Sequence, residues 1–286
     1  IVTCAAKYVI GSVLIRGEFY LRGDCEAHAL GAGEIVDTGA FGDVQVGDRV
    51  LAIKFDGANG RPTDYALCTV DSIANAPDRI GTDSAKNINT TDWDYVIVRT
   101  EVSGSDDGTD GGTARNNCFS VNSVDKVTIQ GFLMTFSDDD VVTYNNARKG
   151  AVYDCICEDC DDGISASSMS VLTSRYIYLG STRYGFISYT LGYQDTRYSV
   201  VGTTHASYAA ALAGRAAGLL LAFSYIFDGG KGMSSEDESW CYASSLVIDA
   251  AVTTGLYANM NSSVKKVNVT NNATTAESTS SGGVIA

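Results

Sequence analysis

Two acidic runs, one repeat apart, carry the chemistry this sequence could perform. Asp138, Asp139 and Asp140 precede the apolar VVTY stretch, and Asp161 and Asp162 precede GISAS 23 residues on. Glu158 and Asp159 add charge before the second run, and Arg183 follows one period later. Paired carboxylates are the working groups of glycoside hydrolysis, one protonated as general acid and the other ionised. Carboxylates stacked on neighbouring rungs of β-structure stand about 4.8 Å apart. At that spacing they repel, so one holds its proton to higher pH or a cation sits between them. Retaining glycosidases set their pair about 5 Å apart and inverting ones about 6.5–9.5 Å, and either separation is reachable from such a column. The expected pair is Asp139 and Asp162, with Asp161 in support and Arg183 orienting substrate, neutralising the column or holding an anionic sugar. A solvated corner of turn-forming aspartates and a cation site are the competing readings.

Other candidates are less complete. Tyr184, Tyr189 and Trp240 offer ring faces on which a sugar could stack. The same rings could instead pack in a core or against a neighbouring subunit, and Tyr176, Tyr178, Tyr193 and Tyr198 share that choice. Asp106, Asp107 and Asp110 in DDGTDGG resemble part of a calcium loop without its full ligand pattern. No metal site and no cofactor are assigned, and calcium is the one cofactor left open. Cys155, Cys157 and Cys160 form C-x-C-x-x-C, one ligand short of a closed structural zinc site. The period of the sequence places Cys155 and Cys157 inward, as small hydrophobes.

These residues must be positioned by a repeat. Segments open at Cys118, Val141, Ile164, Phe186, about Ala211, about Ser235 and Leu256, at intervals of 23, 23, 22, 25, 24 and 21 residues. Each contains short alternating strands and a polar close, so the unit is one coil of β-structure in a stacked array. The inward slots agree: Phe132 falls over Cys155 and Ile177, Met134 over Cys157 and Leu179, and Ile129 over Val152. The predicted fold is all-β, a right-handed parallel β-helix of coils of about 23 residues. The register is weakest over 206–240. The Ala206–Phe227 stretch is apolar but interrupted by Ser207, Gly214, Arg215 and Gly218, and reads as buried coils.

Composition sets outer limits. The chain has 286 residues, 45% hydrophobic and 19% charged, with 30 glycines for corners and only Pro62 and Pro77 to interrupt ladders. The net charge of −14 argues against a basic, phosphate-binding face, so no nucleic-acid partner is expected. No run reaches the roughly 18 apolar residues of a spanning helix, and no membrane insertion is expected. The sequence starts at Ile1 with neither methionine nor signal peptide, the expectation for a processed product or part of a longer chain. Three regions are expected: N-terminal β-rich coils and loops over 1–117, helix repeats over 118–270, and a loose polar segment over 271–286.

The stretch FGDVQVGDRVLAI, followed by a polar excursion and then coils of 22 to 25 residues, resembles pectate-lyase-type right-handed β-helices, and within them bacteriophage tailspikes and viral fibres. A weaker resemblance is to polygalacturonase-type hydrolases, whose G-H-G turn would fall on Arg183, Tyr184 and Gly185; the histidine and the R-I-K signature are absent. The tailspike resemblance implies a homotrimer on a virion surface or in the extracellular space, partnered by other virion proteins and a host-surface polysaccharide that it binds or cleaves. A secreted polysaccharide hydrolase and a non-catalytic surface fibre are the alternatives, and catalysis stays open.

Overall fold

The structure, a computed structural model, describes residues 2–3, 12–57, 60–104, 117–137, 139–181 and 183–286. Asp138, the DDGTDGG aspartates and Cys4 lie outside the described residues. Among the described residues there is no helix, and so none long and apolar enough to cross a membrane.

The repeats form a parallel β-solenoid. One sheet stacks nine strands in sequence order, from Val2–Thr3 through Phe119–Asn122, Asp140–Asn145, Asp162–Ser167, Phe186–Tyr189, Ala209–Gly214, Lys231–Ser235 and Thr254–Ala258 to Thr275–Thr279. A second, 15-stranded sheet supplies the rest of each coil. Parallel crossovers of this kind are right-handed in nearly all proteins, consistent with the expected hand. The predicted slots hold: Ile129 pairs with Val152, Met134 with Cys157 and then Leu179, and Cys155 with Ile177. Phe132, Cys155 and Ile177 are all buried, and Cys155 and Cys157 occupy inward slots. Burial pushes the Cys155 thiol up to about 12, which leaves it an inert, small apolar group at neutral pH.

In the first sheet one inward column runs Phe119, Val142, Ile164, Phe186, Ala211, Met233 and Leu256. Met233, not the expected Ser235, is thus the repeat equivalent in the weakly registered region. The column ends at Glu277, whose carboxylate pairs with Lys266. Residues 271–286, expected as a loose segment, contribute Thr275–Thr279 and Val284–Ile285 to the two ladders. Their Thr/Ser-rich composition reads as loop, yet threonine suits a pleated surface once a template strand is present.

The N-terminal region differs from coils. Strands Val13–Arg16 and Thr100–Ser103 join the solenoid as parallel neighbours of Val127–Gln130 and Phe132–Thr135. Between them the chain builds a six-stranded antiparallel sheet, ordered Tyr20–Asp24, Trp93–Val98, Arg49–Asp56, Arg61–Ser72, Arg79–Thr82, Glu34–Val36. The FGDVQVGDRVLAI stretch that carried the resemblance lies in this insertion. Leu51, Ile53, Val96 and Val98 pack there against Ile156 and Val200 of the solenoid. Tyr65 meets Phe227 at 5.3 Å and Tyr225 at 5.7 Å, and Tyr176 stacks on Tyr198. Several of the clustered tyrosines are therefore covered by the chain's own insertion.

Candidate functional site

The acidic column stands at the start of the first sheet, but its register is one residue away from expectation. Asp140, not Asp139, pairs with Asp162 across the parallel ladder. The Asp161 amide donates to the Ser137 carbonyl and the Asp162 amide to the Asp139 carbonyl, while Thr135 pairs with Glu158 and Asp140 with Asp162. The corner leaving Phe132–Thr135 thus holds one residue more than the corner one coil on. Asp139 contributes a backbone acceptor to the rung, and Asp140 contributes the carboxyl.

The two rung carboxyls have different surroundings. Asp140 Oδ2 accepts a 2.8 Å hydrogen bond from the Ser165 hydroxyl, whose oxygen lies 3.0 Å from Thr143 Oγ1. Burial, reinforced by the charges of Asp162 and Asp139 against the Ser165 hydrogen bond, pushes the Asp140 carboxyl up to about 7. Asp162 is also raised by burial, but Arg183 opposes the shift, as does the Tyr184 amide that donates to Asp162 Oδ1. Arg183 Nη2 lies 2.7 Å from Asp162 and 3.1 Å from Asp161. Asp161, Asp162 and Arg183 therefore come together as the sequence suggested, with Asp140 in the place expected of Asp139. Arg183 and the Tyr184 amide thus favour the charged form of Asp162, whereas burial favours the neutral form of Asp140, a separation of the kind that acid–base chemistry needs.

Aromatic groups continue the same face. Tyr184 meets Tyr208 edge-on at 4.8 Å, and the His205 ring lies 4.7 Å from Tyr208. Further along, Lys231 pairs with Glu236 at 3.0 Å and sits 4.1 Å from the Tyr257 ring. Tyr189 lies at the far end of its strand under Arg215, at 4.7 Å. Trp240 is elsewhere: it begins a strand of the second sheet, half exposed, against Tyr193 at 5.7 Å and over Gly218. Sequence reasoning missed Asp140, Tyr208 and His205. Asp140 stands within a visible aspartate run, whereas nothing in the spacing marks the corner that brings Tyr208 to Tyr184.

A separate cleft of about 430 Å³ lies on the second sheet beside the insertion, lined by Glu158, Asp159, Tyr178, Ser181, Thr204 and Phe227. Glu158 is held there by Arg49 at 2.6 Å. It shares a corner with the acidic rung, since Cys160 lines the cleft and Asp161 follows it.

No protein-family model and no curated protein matches the chain. Among solved structures it is similar to the tailspike protein gp49 of Pseudomonas phage LKA1, with 9% identity and a TM-score of 0.27 over 86% of this chain and 53% of that one. It is similar to the gp54 tailspike of Acinetobacter baumannii bacteriophage AP22, solved in complex with A. baumannii capsular saccharide, with 9% identity and a TM-score of 0.29 over 96% and 58%. It is also similar to the Agl-KA catalytic domain, with 10% identity and a TM-score of 0.25 over 98% and 100%. The chain spans about half the length of the two tailspikes. At these scores the likeness provides no residue-by-residue correspondence.

Proposed function

We propose that this chain is the glycan-engaging part of a virion surface spike or tail fibre, which attaches to a host-surface polysaccharide and cleaves it at the Asp140–Asp162 rung. The observation that carries the proposal is this rung itself: a buried carboxyl poised near neutrality beside an arginine-held one, flanked by the Tyr184–Tyr208 ring pair. Carboxyls accept hydrogen bonds from sugar hydroxyls, and ring faces cover the apolar side of a sugar. In the proposed reaction the Asp140 carboxyl gives its proton to the glycosidic oxygen as that bond breaks, the Asp162 carboxylate supports the positive charge that develops on the ring, and water adds at the anomeric carbon and returns a proton to Asp140.

Assembly into a homotrimer with other virion proteins is part of the same proposal. It is supported by exposed apolar side chains at one corner, where Met169, Val171, Leu191, Trp240 and Met260 are 41–58% accessible, with Arg215 and Glu238 between them. Exposed apolar groups gathered on one side of a folded protein mark contact surfaces. The test incubates the protein, Asp140→Asn and Asp162→Asn with host-surface polysaccharide and measures both new reducing ends and retention on the polysaccharide. Cleavage lost in both variants with retention kept is the expected result. Cleavage that survives both rejects the site, and retention without cleavage in the parent protein leaves a pure attachment fibre.

A further inference from the structure

We infer that the sugar units bound over the Asp140–Asp162 rung carry no acidic group; this rests on the reading of the rung as a glycan site. The carboxyls that face it are Asp139, Asp140, Asp161 and Asp162, and Glu236 adds its charge beside Tyr184. The arginine and the lysine of this face among the described residues are already held. Arg183 serves two carboxylates with one nitrogen, and Lys231 is tied to Glu236 and to the Tyr257 ring. Even with Asp140 protonated, the face stays net negative. A uronate, sulfate or sialate placed here would meet repulsion with no free arginine or lysine among the described residues to answer it. A neutral unit would find carboxylate acceptors for its hydroxyls, the Ser165 and Thr143 hydroxyls, and the rings of Tyr184 and Tyr208. Arg183, which the sequence offered as an anion holder, is instead the clamp of the acidic pair.

The probe is a printed array of bacterial capsular and cell-wall glycans in which neutral chains stand beside uronate-bearing ones, each uronate chain also present after chemical reduction of its carboxyls. Retained glycans are expected to be neutral, with uronate-bearing chains weaker by about tenfold or more than their reduced forms. Asp161→Asn, which releases half of the Arg183 clamp, is expected to narrow that gap. Uronate chains that bind as well as their reduced forms, with binding lost in Tyr184→Ala, overturn the inference and keep the glycan site. Retention of no glycan, or retention unaffected by Tyr184→Ala, overturns the site and the inference together.

Discussion

Asp140→Asn isolates the cost of the buried carboxyl, because asparagine keeps the shape and the acceptor for the Ser165 hydroxyl while removing the charge. A carboxyl whose pKa is raised in the folded state favours folding fully below its unfolded value near 3.8, and that contribution is lost as pH rises through about 7. The full difference corresponds to about 4 kcal/mol. Water entering a site at the sheet surface reduces this to roughly 2 kcal/mol. Urea denaturation of parent and variant between pH 4 and pH 8 is the assay. The variant should gain on the parent progressively across that range, ending roughly 2 kcal/mol or more ahead of its pH 4 position. Asp94, which burial and Asp24 raise to about 6, weakens both proteins alike and cancels in the difference. Parallel curves for parent and variant refute the argument, as does a carbon-13 titration that places the Asp140 carboxyl near 4.

The remaining expectations are simpler. Polysaccharide cleavage, assayed as reducing ends, should fall as pH rises through about 7, because the general acid loses its proton there; a rate that is flat to pH 9 counts against Asp140 in that role. Ile177→Asp places a charge in a fully buried slot between Cys155 and its neighbours, and thermal or chemical denaturation should show a loss of about 3 kcal/mol or more. Gly163→Ala should cost about 1–3 kcal/mol, since its new methyl would stand 2.2 Å from the Gly185 carbonyl oxygen and 2.6 Å from a Leu179 methyl. Sedimentation should find a trimer that Leu191→Ser with Met260→Ser weakens, and a stable parent monomer would remove the assembly from the proposal.

The solenoid was legible wherever side chains alternate between a crowded interior and the outside. Ile129 over Val152 and Cys155 over Ile177 followed from apolar residues recurring at one interval. The rung partner was not legible, because the offset drops from 23 residues at Leu133 and Ile156 to 22 at Asp140 and Asp162, and consecutive aspartates in both runs hide a one-residue change. The insertion escaped for a related reason. Antiparallel and parallel strands share the same alternation, so RVLAIKFD reads alike in a coil and in a separate sheet. The choice left open for Tyr178, sugar face or packing, could not be made because the sequence does not say what covers the ring, and here the cover comes from Tyr65 more than 100 positions earlier. The weak register around Met233 reflects small alanines at Ala209, Ala211 and Ala213, which blur the contrast between inward and outward slots.

The antiparallel insertion leaves and re-enters the solenoid at nearly one point. The Glu18 amide donates to Thr100 Oγ1 at 2.6 Å and the Arg99 amide to the Phe19 carbonyl at 3.3 Å, so its two ends are clamped side by side. A segment with adjoining ends is modular in the engineering sense. It can be shortened, replaced or exchanged for another domain while the flanking strands Val13–Arg16 and Thr100–Ser103 keep their rungs. A replacement must still roof Tyr178, Val200 and Tyr225, which are otherwise bare apolar surface on the coil. Selection could therefore trade insertions of different size against that roof, reshaping the cleft beside Phe227 without disturbing the stacking that fixes the acidic rung.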